Sequence, residues 1–380
     1  MRKRLICLVL MLFSISYAFS MLVEEDSSLR KNTDYFMKFR GGTSLIVAYY
    51  PAVHDGVSTG FNFSAANYSP LDYTDNQLHY TNGAEGRIIG STWGGIEAGS
   101  YANFAMIAPF LNNDDIALFK NNNVKLNFLW ELTPVSLEAG ATFTWEPVAF
   151  FIIESGFKIG SAWPFVTIAN GMGINENGTI QRAAFAGPHM NIWFKPQFQF
   201  DLSALMPQDI SRWTHILMVA APIFEYNAIL NYSDTTAWEY KNDGGQNFNG
   251  WNLKSLFLLA YRIPVLIDDK GEDRTFVKVY HNNFDITVGF LMQIDYLRLT
   301  HYNLSPMSKG GWGSDFTYIE FGPIMNFDLP NNYFVNIFFF FKNAPQYTSE
   351  TVGNKDFRYR EYQDWYVYFR RIAFEFGWKF

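Results

Sequence analysis

The chain of 380 residues holds one cysteine, Cys7, and only 17% of its residues are charged. Soluble domains carry about 25% charged residues. Mean hydropathy is nevertheless −0.08, so apolar residues are diluted by polar ones and never form the runs of about 18 that helical membrane spans need. A polytopic helical membrane protein is thereby excluded. Neither H-E-x-x-H nor a Walker pattern occurs. What is abundant is aromatic: 38 Phe, 22 Tyr and 11 Trp. Disordered chains are poor in such residues, so a folded architecture is expected.

The first residues read as an export signal. Arg2, Lys3 and Arg4 precede an apolar stretch from Leu5 to Phe13, and Ala18-Phe19-Ser20 offers a cut after Ser20. A lipoprotein reading would need Cys7 at the cut, but it lies inside the apolar stretch. The expected layout is residues 1–20 as signal peptide, 21–34 as a short periplasmic segment and 35–380 as one domain. Cleavage removes Cys7 and leaves 26 basic against 36 acidic residues, net −10. No disulfide or thiolate chemistry is then available, and an acidic chain without a basic stripe is a poor nucleic-acid partner.

The remaining sequence alternates with a period of two, as strands do. Val124, Leu126, Phe128, Trp130 and Leu132 oppose Lys125, Asn127, Leu129 and Glu131. After Thr133-Pro134, Leu137, Ala139, Ala141, Phe143 and Trp145 oppose Ser136, Glu138, Gly140, Thr142 and Thr144. The same dyad recurs around Glu154 and Lys158, Lys195, Asp285 and Glu320. Helical spacing would place these carboxylates on an apolar stripe. The fold is therefore expected to be all-β.

Many segments reach the roughly 9–11 alternating residues that a tilted membrane-crossing strand requires. The expected architecture is a transmembrane antiparallel up-and-down β-barrel. Fourteen strands are anticipated: Tyr35–Tyr49, Val57–Ala65, Arg87–Trp93, Ile96–Phe110, Val124–Leu132, Val135–Trp145, Val148–Gly160, Met190–Leu202, His215–Leu230, Trp251–Ile263, Phe284–Leu299, Phe316–Leu329, Tyr333–Lys342 and Trp365–Phe380. Gly94-Gly95 can be a bulge instead of a turn, which makes twelve the runner-up. Ala162–Pro188, Asn231–Gly250, His301–Ser314 and Asn343–Gln363 are expected as long extracellular loops. Glu146-Pro147 and Pro330-Asn331-Asn332 are expected as short periplasmic turns.

At the C-terminus Ile372, Phe374, Phe376, Trp378 and Phe380 share one parity, continued by Tyr366 and Tyr368, while Arg371, Ala373, Glu375, Gly377 and Lys379 share the other. Arg370 breaks the apolar row. This last strand resembles the assembly signal of bacterial outer-membrane β-barrel proteins. The resemblance implies an outer-membrane location, export by the secretion machinery, and a barrel-assembly machinery that reads Phe376, Trp378 and Phe380. Fourteen strands also match the number in the long-chain fatty-acid transporter family. Met21–Asp34 is too short for that family's plug, so the match is numerical only.

A barrel of this size falls between the filled ones of about eight strands and the open ones of 16–18. Groups of both signs are expected in the lumen: Lys125, Glu138, Glu154, Lys158, Lys195, Asp285, Glu320, Arg371 and Glu375. They act either as salt-bridged fillers or in transport. Asp268–Asp273 reads as a solvated turn because it lacks the calcium-loop spacing. Of six histidines only His215 sits mid-pattern, so a Ser–His hydrolase is not expected. Trp238, Tyr240, Phe248 and Trp251 read as an interface girdle, with a ligand-binding cluster near one external loop as the alternative. The expectation is a porin-like channel or transporter for small or hydrophobic solutes, with lipid as its surroundings, no cofactor, no metal and no enzymatic activity. The competing classes are a surface-exposed structural or adhesive barrel and a soluble exported barrel that binds an apolar ligand.

Overall fold

The computed structural model describes residues 37–50, 52–54, 57–60, 71–74, 77–81, 95–110, 122–163, 171–176, 179–182, 184–202, 215–236, 238–241, 247–263, 285–300, 315–351 and 357–380. The expected signal peptide and periplasmic segment lie outside them, as does the Asp268–Asp273 turn. Twelve antiparallel strands follow one another around a ring. They are β1 Lys38–Tyr50, β2 Gly95–Pro109, β3 Asn123–Thr133, β4 Ser136–Val148, β5 Phe151–Ala162 and β6 His189–Asp201. The second half is β7 Ile216–Ile229, β8 Gly250–Ile263, β9 Asp285–Arg298, β10 Tyr318–Asp328, β11 Tyr333–Thr351 and β12 Phe357–Lys379. β12 closes on β1, with Gly42 opposite Lys379 and Tyr49 opposite Ile372. Closure pairs every strand edge, the condition for a sheet to exist in hydrocarbon.

Fourteen strands give way to twelve, the runner-up number. Val57–Gly60 pairs only with Ala52–His54 in a separate ribbon, and Arg87–Trp93 lies outside the described residues. A further hairpin, Leu71–Thr74 with Gln77–Thr81, attaches to the end of β12 through Thr81 opposite Phe357. These segments belong to the 51–94 connection, where the described strands are only three to five residues long.

One parity of every strand is apolar and faces out. Leu137, Phe143, Phe157, Ile192, Phe194, Phe198, Phe257, Phe290, Phe374 and Phe376 are all exposed, and Leu259 is 55% exposed. Aromatics on this face mark both ends of the wall. Trp251 meets Tyr226 edge-on at 5.3 Å near one end, and Tyr333 stacks on Phe376 at 5.7 Å near the other. The inner parity is close-packed in places by small residues. A Cβ on Gly156 would lie 2.4 Å from Trp193 Cζ2, so only glycine leaves room for that indole to lie flat along β5.

The two ends of the barrel differ. Connections 51–94, 163–188, 230–249 and 299–317 gather at the end away from the C-terminus. The opposite end has tight turns at 149–150 and 329–332, but also the longer segments 110–122, 202–215 and 264–284. Glu146-Pro147 is not a turn. β4 runs on to Val148 after a register shift, and the chain reverses at 149–150. The expected loop Asn343–Gln363 is largely strand, because β11 and β12 continue paired to Thr351 and Arg358. At the loop end, Thr133 and Ser136 close β3–β4 through their hydroxyls at 2.7 Å. With only residues 134–135 between its strands, that hairpin has the shortest of the loop-end connections.

β12 carries the clearest departure from strict alternation. Phe340 lies opposite Arg371 but Phe341 opposite Phe369, which leaves Arg370 as an inserted residue. Such a bulge shifts the parity of everything beyond it. Val367 and Trp365 therefore face out and are exposed, while Tyr366 and Tyr368 leave the outer row in which the sequence had placed them.

Candidate functional site

The interior is occupied at the loop end by chain from two connections. Met172–Glu176 pairs with Thr179–Arg182 on one side and with Trp238–Tyr240 on the other, forming a three-stranded sheet. It sits against the short β3–β4 hairpin. Trp163 donates its backbone N–H to the Val135 carbonyl at 2.8 Å and its indole N–H to the Pro134 carbonyl at 2.9 Å. The sheet brings its own core, in which Met172, Ile174, Ile229 and Trp238 are at most 1% exposed and pack with Ala162 and Tyr240. Burying each such side chain contributes roughly 1.5–3 kcal/mol.

Polar groups fix its position. The Asn249 side chain accepts hydrogen bonds from the Trp238 indole and the Ile229 amide, both at 2.9 Å. It also donates to the carbonyls of Ile229 at 3.1 Å and Tyr232 at 3.0 Å. Lys241 follows the inner sheet directly, and its backbone N–H reaches the Gly171 carbonyl at 2.9 Å. Its ammonium bonds both Glu131 on β3 and Glu138 on β4. Lys158 on β5 completes the cluster at 2.6 Å from Glu131 and 3.4 Å from Glu138. His189 Nδ1 lies 3.0 Å from Glu138, its Nε2 lies 3.2 Å from Asn227, and its ring stacks on Tyr240 at 4.0 Å. Burial, together with the charges of Glu138 and Glu131, pushes the Tyr240 phenol well above its ordinary range. It stays neutral.

The other sequence-derived candidates fall into separate groups. Lys195 pairs with Glu154 at 3.0 Å, and Trp193 donates to the same carboxylate at 3.0 Å. Glu320 on β10 receives Arg370 at 2.6 Å and Arg371 at 3.1 Å. The bulge is what allows two consecutive arginines to reach one carboxylate. Glu375 accepts from Asn336, which in turn accepts from Asn326, at 2.8 and 2.6 Å. Lys125 lies on β3 opposite Ile107 and Thr144. The side chain of Asp285 is outside the described residues. Glu138 and Lys158 therefore meet, Glu154 and Lys195 meet, and Glu320 and Arg371 meet.

Several members were not singled out from sequence. Lys241 sits in a connection with no periodicity to show that it folds inward, and Arg370 was the exception in its row. Glu225, 3.0 Å from Lys254, was visible as a lone carboxylate in an apolar strand. The proposed girdle of Trp238, Tyr240, Phe248 and Trp251 divides: Trp238 and Tyr240 are buried inside the barrel, whereas Trp251 is exposed on the outer wall. Gly171-Met172-Gly173 begins the inner sheet and has no helix after it. Gly56-Val57-Ser58-Thr59-Gly60 fits the spacing of a nucleophile elbow, but its residues from Val57 form one arm of a β-ribbon instead of a strand–turn–helix. His215 bonds Asp201 at 3.1 Å near the barrel's other end. Among the described residues no group of three metal-ligating side chains converges.

A closed antiparallel barrel with an apolar exterior and a polar, ion-paired interior is a membrane-spanning barrel of the bacterial outer-membrane kind. No protein-family model matches the chain. No curated protein matches it either. Among solved structures, it is similar to the translocator domain of autotransporter NalP from Neisseria meningitidis at 8% identity and TM-score 0.35, covering 97% of this chain and 96% of that one. A FadL homologue of Pseudomonas aeruginosa matches at 7% identity and TM-score 0.29 over 90% of each chain. OprB of Pseudomonas putida matches at 9% identity and TM-score 0.28, over 90% of this chain and 94% of that one. At these identities and scores none of them bears on what this barrel carries.

Proposed function

We propose that this outer-membrane barrel is a channel or carrier for small solutes, narrowed at its loop end by the inner three-stranded sheet. The observation that carries this reading is the attachment of that sheet to the barrel wall through Lys241, Glu131 and Glu138. Side chains alone fill a barrel of about eight strands, and the twelve-strand ring is wider. Here two connections supply the filling, and charged groups hold it. Lys125, Glu138, Glu154, Lys158, Lys195, Glu320, Arg371 and Glu375 then line or brace the path, and Asp285 belongs to the same parity of β9. Reconstitution into planar bilayers tests the reading. Discrete conductance steps and uptake of small sugars by proteoliposomes are expected; a folded barrel with neither refutes it.

The β11–β12 hairpin supports a second role at the cell surface. Its strands span 19 and 23 residues, about twice what a bilayer crossing needs. Shortening it across residues 345–364 is expected to leave conductance unchanged while reducing attachment of whole cells to a surface.

The terminal row is proposed to serve assembly. Phe374 and Phe376 are exposed on the outer wall, and Trp378 and Phe380 lie 5.0 Å apart. Phe380 also seals the ring, because the Gly41 amide donates to its terminal carboxylate at 2.7 Å and the Gly41 carbonyl accepts from the Phe380 amide at 2.9 Å. Deleting Phe380 should lower the yield of heat-modifiable barrel in cells but not of barrel refolded in detergent. An equal yield in cells refutes recognition by the assembly machinery.

A further inference from the structure

Ion pairing is the rule on the inner wall. Lys158, Lys195, Lys241, Lys254, Arg370, Arg371 and Lys379 each lie within 4.0 Å of a carboxylate. Among the described residues, Lys38, Arg40 and Lys125 have no carboxylate within 4.0 Å. All three sit near the barrel end opposite the inner sheet, on neighbouring strands. Lys38 and Lys125 both flank Ile107 of β2, one from β1 and one from β3. Arg40 is one inward position further along β1, opposite Ala105, whose other neighbour is Asn127. The outward residues between them, Met37, Phe39 and Leu126, are exposed on the apolar face, which fixes the parity of the three cations as inward. With adjacent strands about 4.8 Å apart, the Cα atoms of Lys38 and Lys125 are roughly 10 Å apart. Side chains of this length are able to span that gap.

Two uncharged donors adjoin them. Asn103 and Asn127 are inward neighbours of Arg40 on the next strands and bond to each other at 3.3 Å. Among the described side chains the nearest inward carboxylate on this side is Glu146, which accepts from Asn123 at 2.8 Å and lies nearer the rim than Thr144, the residue opposite Lys125, while the terminal carboxylate of Phe380 meets Gly41, next to Arg40. Lys379 on the other flank is neutralised by Asp328 at 2.9 Å. Among the described residues, three cations against the one terminal carboxylate of Phe380 leave a net positive charge at this mouth, and a low-dielectric wall focuses its potential.

We propose that Lys38, Arg40 and Lys125 form a binding site for a small oxyanion, a carboxylate or phosphate, at the mouth opposite the inner sheet, and that they give the lumen its preference for anions. The proposal rests on the channel reading for its selectivity but not for its binding. Arginine contributes a bidentate fork and the lysines contribute point charges, the combination suited to tetrahedral or planar oxyanions.

Two measurements separate the readings. In planar bilayers under a potassium chloride gradient, the native barrel should show a reversal potential displaced toward that of chloride. The variant K38Q/R40Q/K125Q should lose at least roughly threefold in the chloride-to-potassium permeability ratio with its conductance retained. Isothermal titration of inorganic phosphate into the detergent-solubilised barrel should show saturable binding that is lost in the variant, while K254Q, at a lysine paired with Glu225, keeps it. Conductance with cation preference, or selectivity unchanged in the variant, overturns the proposal and leaves the channel intact. A barrel without conductance removes the channel reading, and phosphate titration then decides the site alone. Heat-modifiability of each variant confirms that the barrel has closed.

Discussion

Lys241→Gln is the substitution that separates a latched inner sheet from inert filling. The native cluster balances two carboxylates, Glu131 and Glu138, with two ammonium groups, Lys158 and Lys241. Removing one partner of a buried ion pair costs about 3–5 kcal/mol, because the remaining charge is left uncompensated. Lys158 stays in contact with both carboxylates, so the lower figure applies, about 3 kcal/mol. That is roughly two decades in the ratio of seated to unseated sheet. The β-barrel ladder does not contain Lys241, so the barrel itself should close as before. Single-channel recording in planar bilayers should show larger or more frequent open events in K241Q, and amide exchange of Met172–Glu176 should speed up by a comparable factor. Adding Glu131→Gln removes one charge of the opposite sign and should recover part of the protection. If K241Q matches the native protein in conductance and in exchange, the ion pairs do not hold the sheet and the latch reasoning fails.

Three further outcomes follow from the packing. Asn249→Ala removes four hydrogen bonds, two of them to the Ile229 backbone; at about 1 kcal/mol each, the local opening free energy of the Trp238 segment should fall by roughly 3–4 kcal/mol, read by hydrogen exchange, and an unchanged exchange rate contradicts the role of Asn249. Leu259→Arg places a charge on the outer wall of β8 and should destabilise the barrel by about 2–4 kcal/mol in lipid, measured by denaturant unfolding in vesicles; a neutral effect contradicts lipid contact at that residue. Gly156→Ala drives a Cβ to 2.4 Å from the Trp193 ring and should cost about 1–3 kcal/mol by overpacking, with a shifted tryptophan emission; normal stability and emission contradict that fit.

The wall of this barrel could be read from sequence because its two faces meet different media. Wherever a strand crosses, lipid demands an apolar residue and the interior tolerates polar ones, so β3 to β10 show in the bare alternation from Val124 to Asp328. The same rule fails where the medium changes. Val57–Ala65 alternates over nine residues, as Val124–Leu132 does, so the pattern alone does not distinguish a crossing strand from a ribbon in a connection, and Arg87–Trp93 is shorter still. Alternation also conceals a bulge: placing Arg370 as an exception in an unbroken row missed the parity change that lets it join Arg371 on Glu320. The inner sheet was the least legible part. Trp238 and Tyr240 are aromatics in a polar connection, and nothing local separates an interface girdle from a buried core. That chain is anchored at the short Thr133–Ser136 hairpin through Trp163, a contact that depends on neighbouring strands and not on the connection's own sequence. The charged inner residues were identifiable as a set, whereas their partners depend on register across several strands.

Site-directed spin labelling along β4 tests the central assignment most directly. Nitroxides placed singly from Leu137 to Trp145 in the lipid-reconstituted barrel would be probed with dissolved oxygen, which favours hydrocarbon, and with a water-soluble nickel chelate. The account predicts a period of two, with oxygen accessibility peaking at Leu137, Ala139, Ala141, Phe143 and Trp145 and falling at Glu138, Gly140, Thr142 and Thr144. Equal accessibility on both parities, or chelate contact along the odd row, would show that these aromatic and aliphatic side chains do not face lipid.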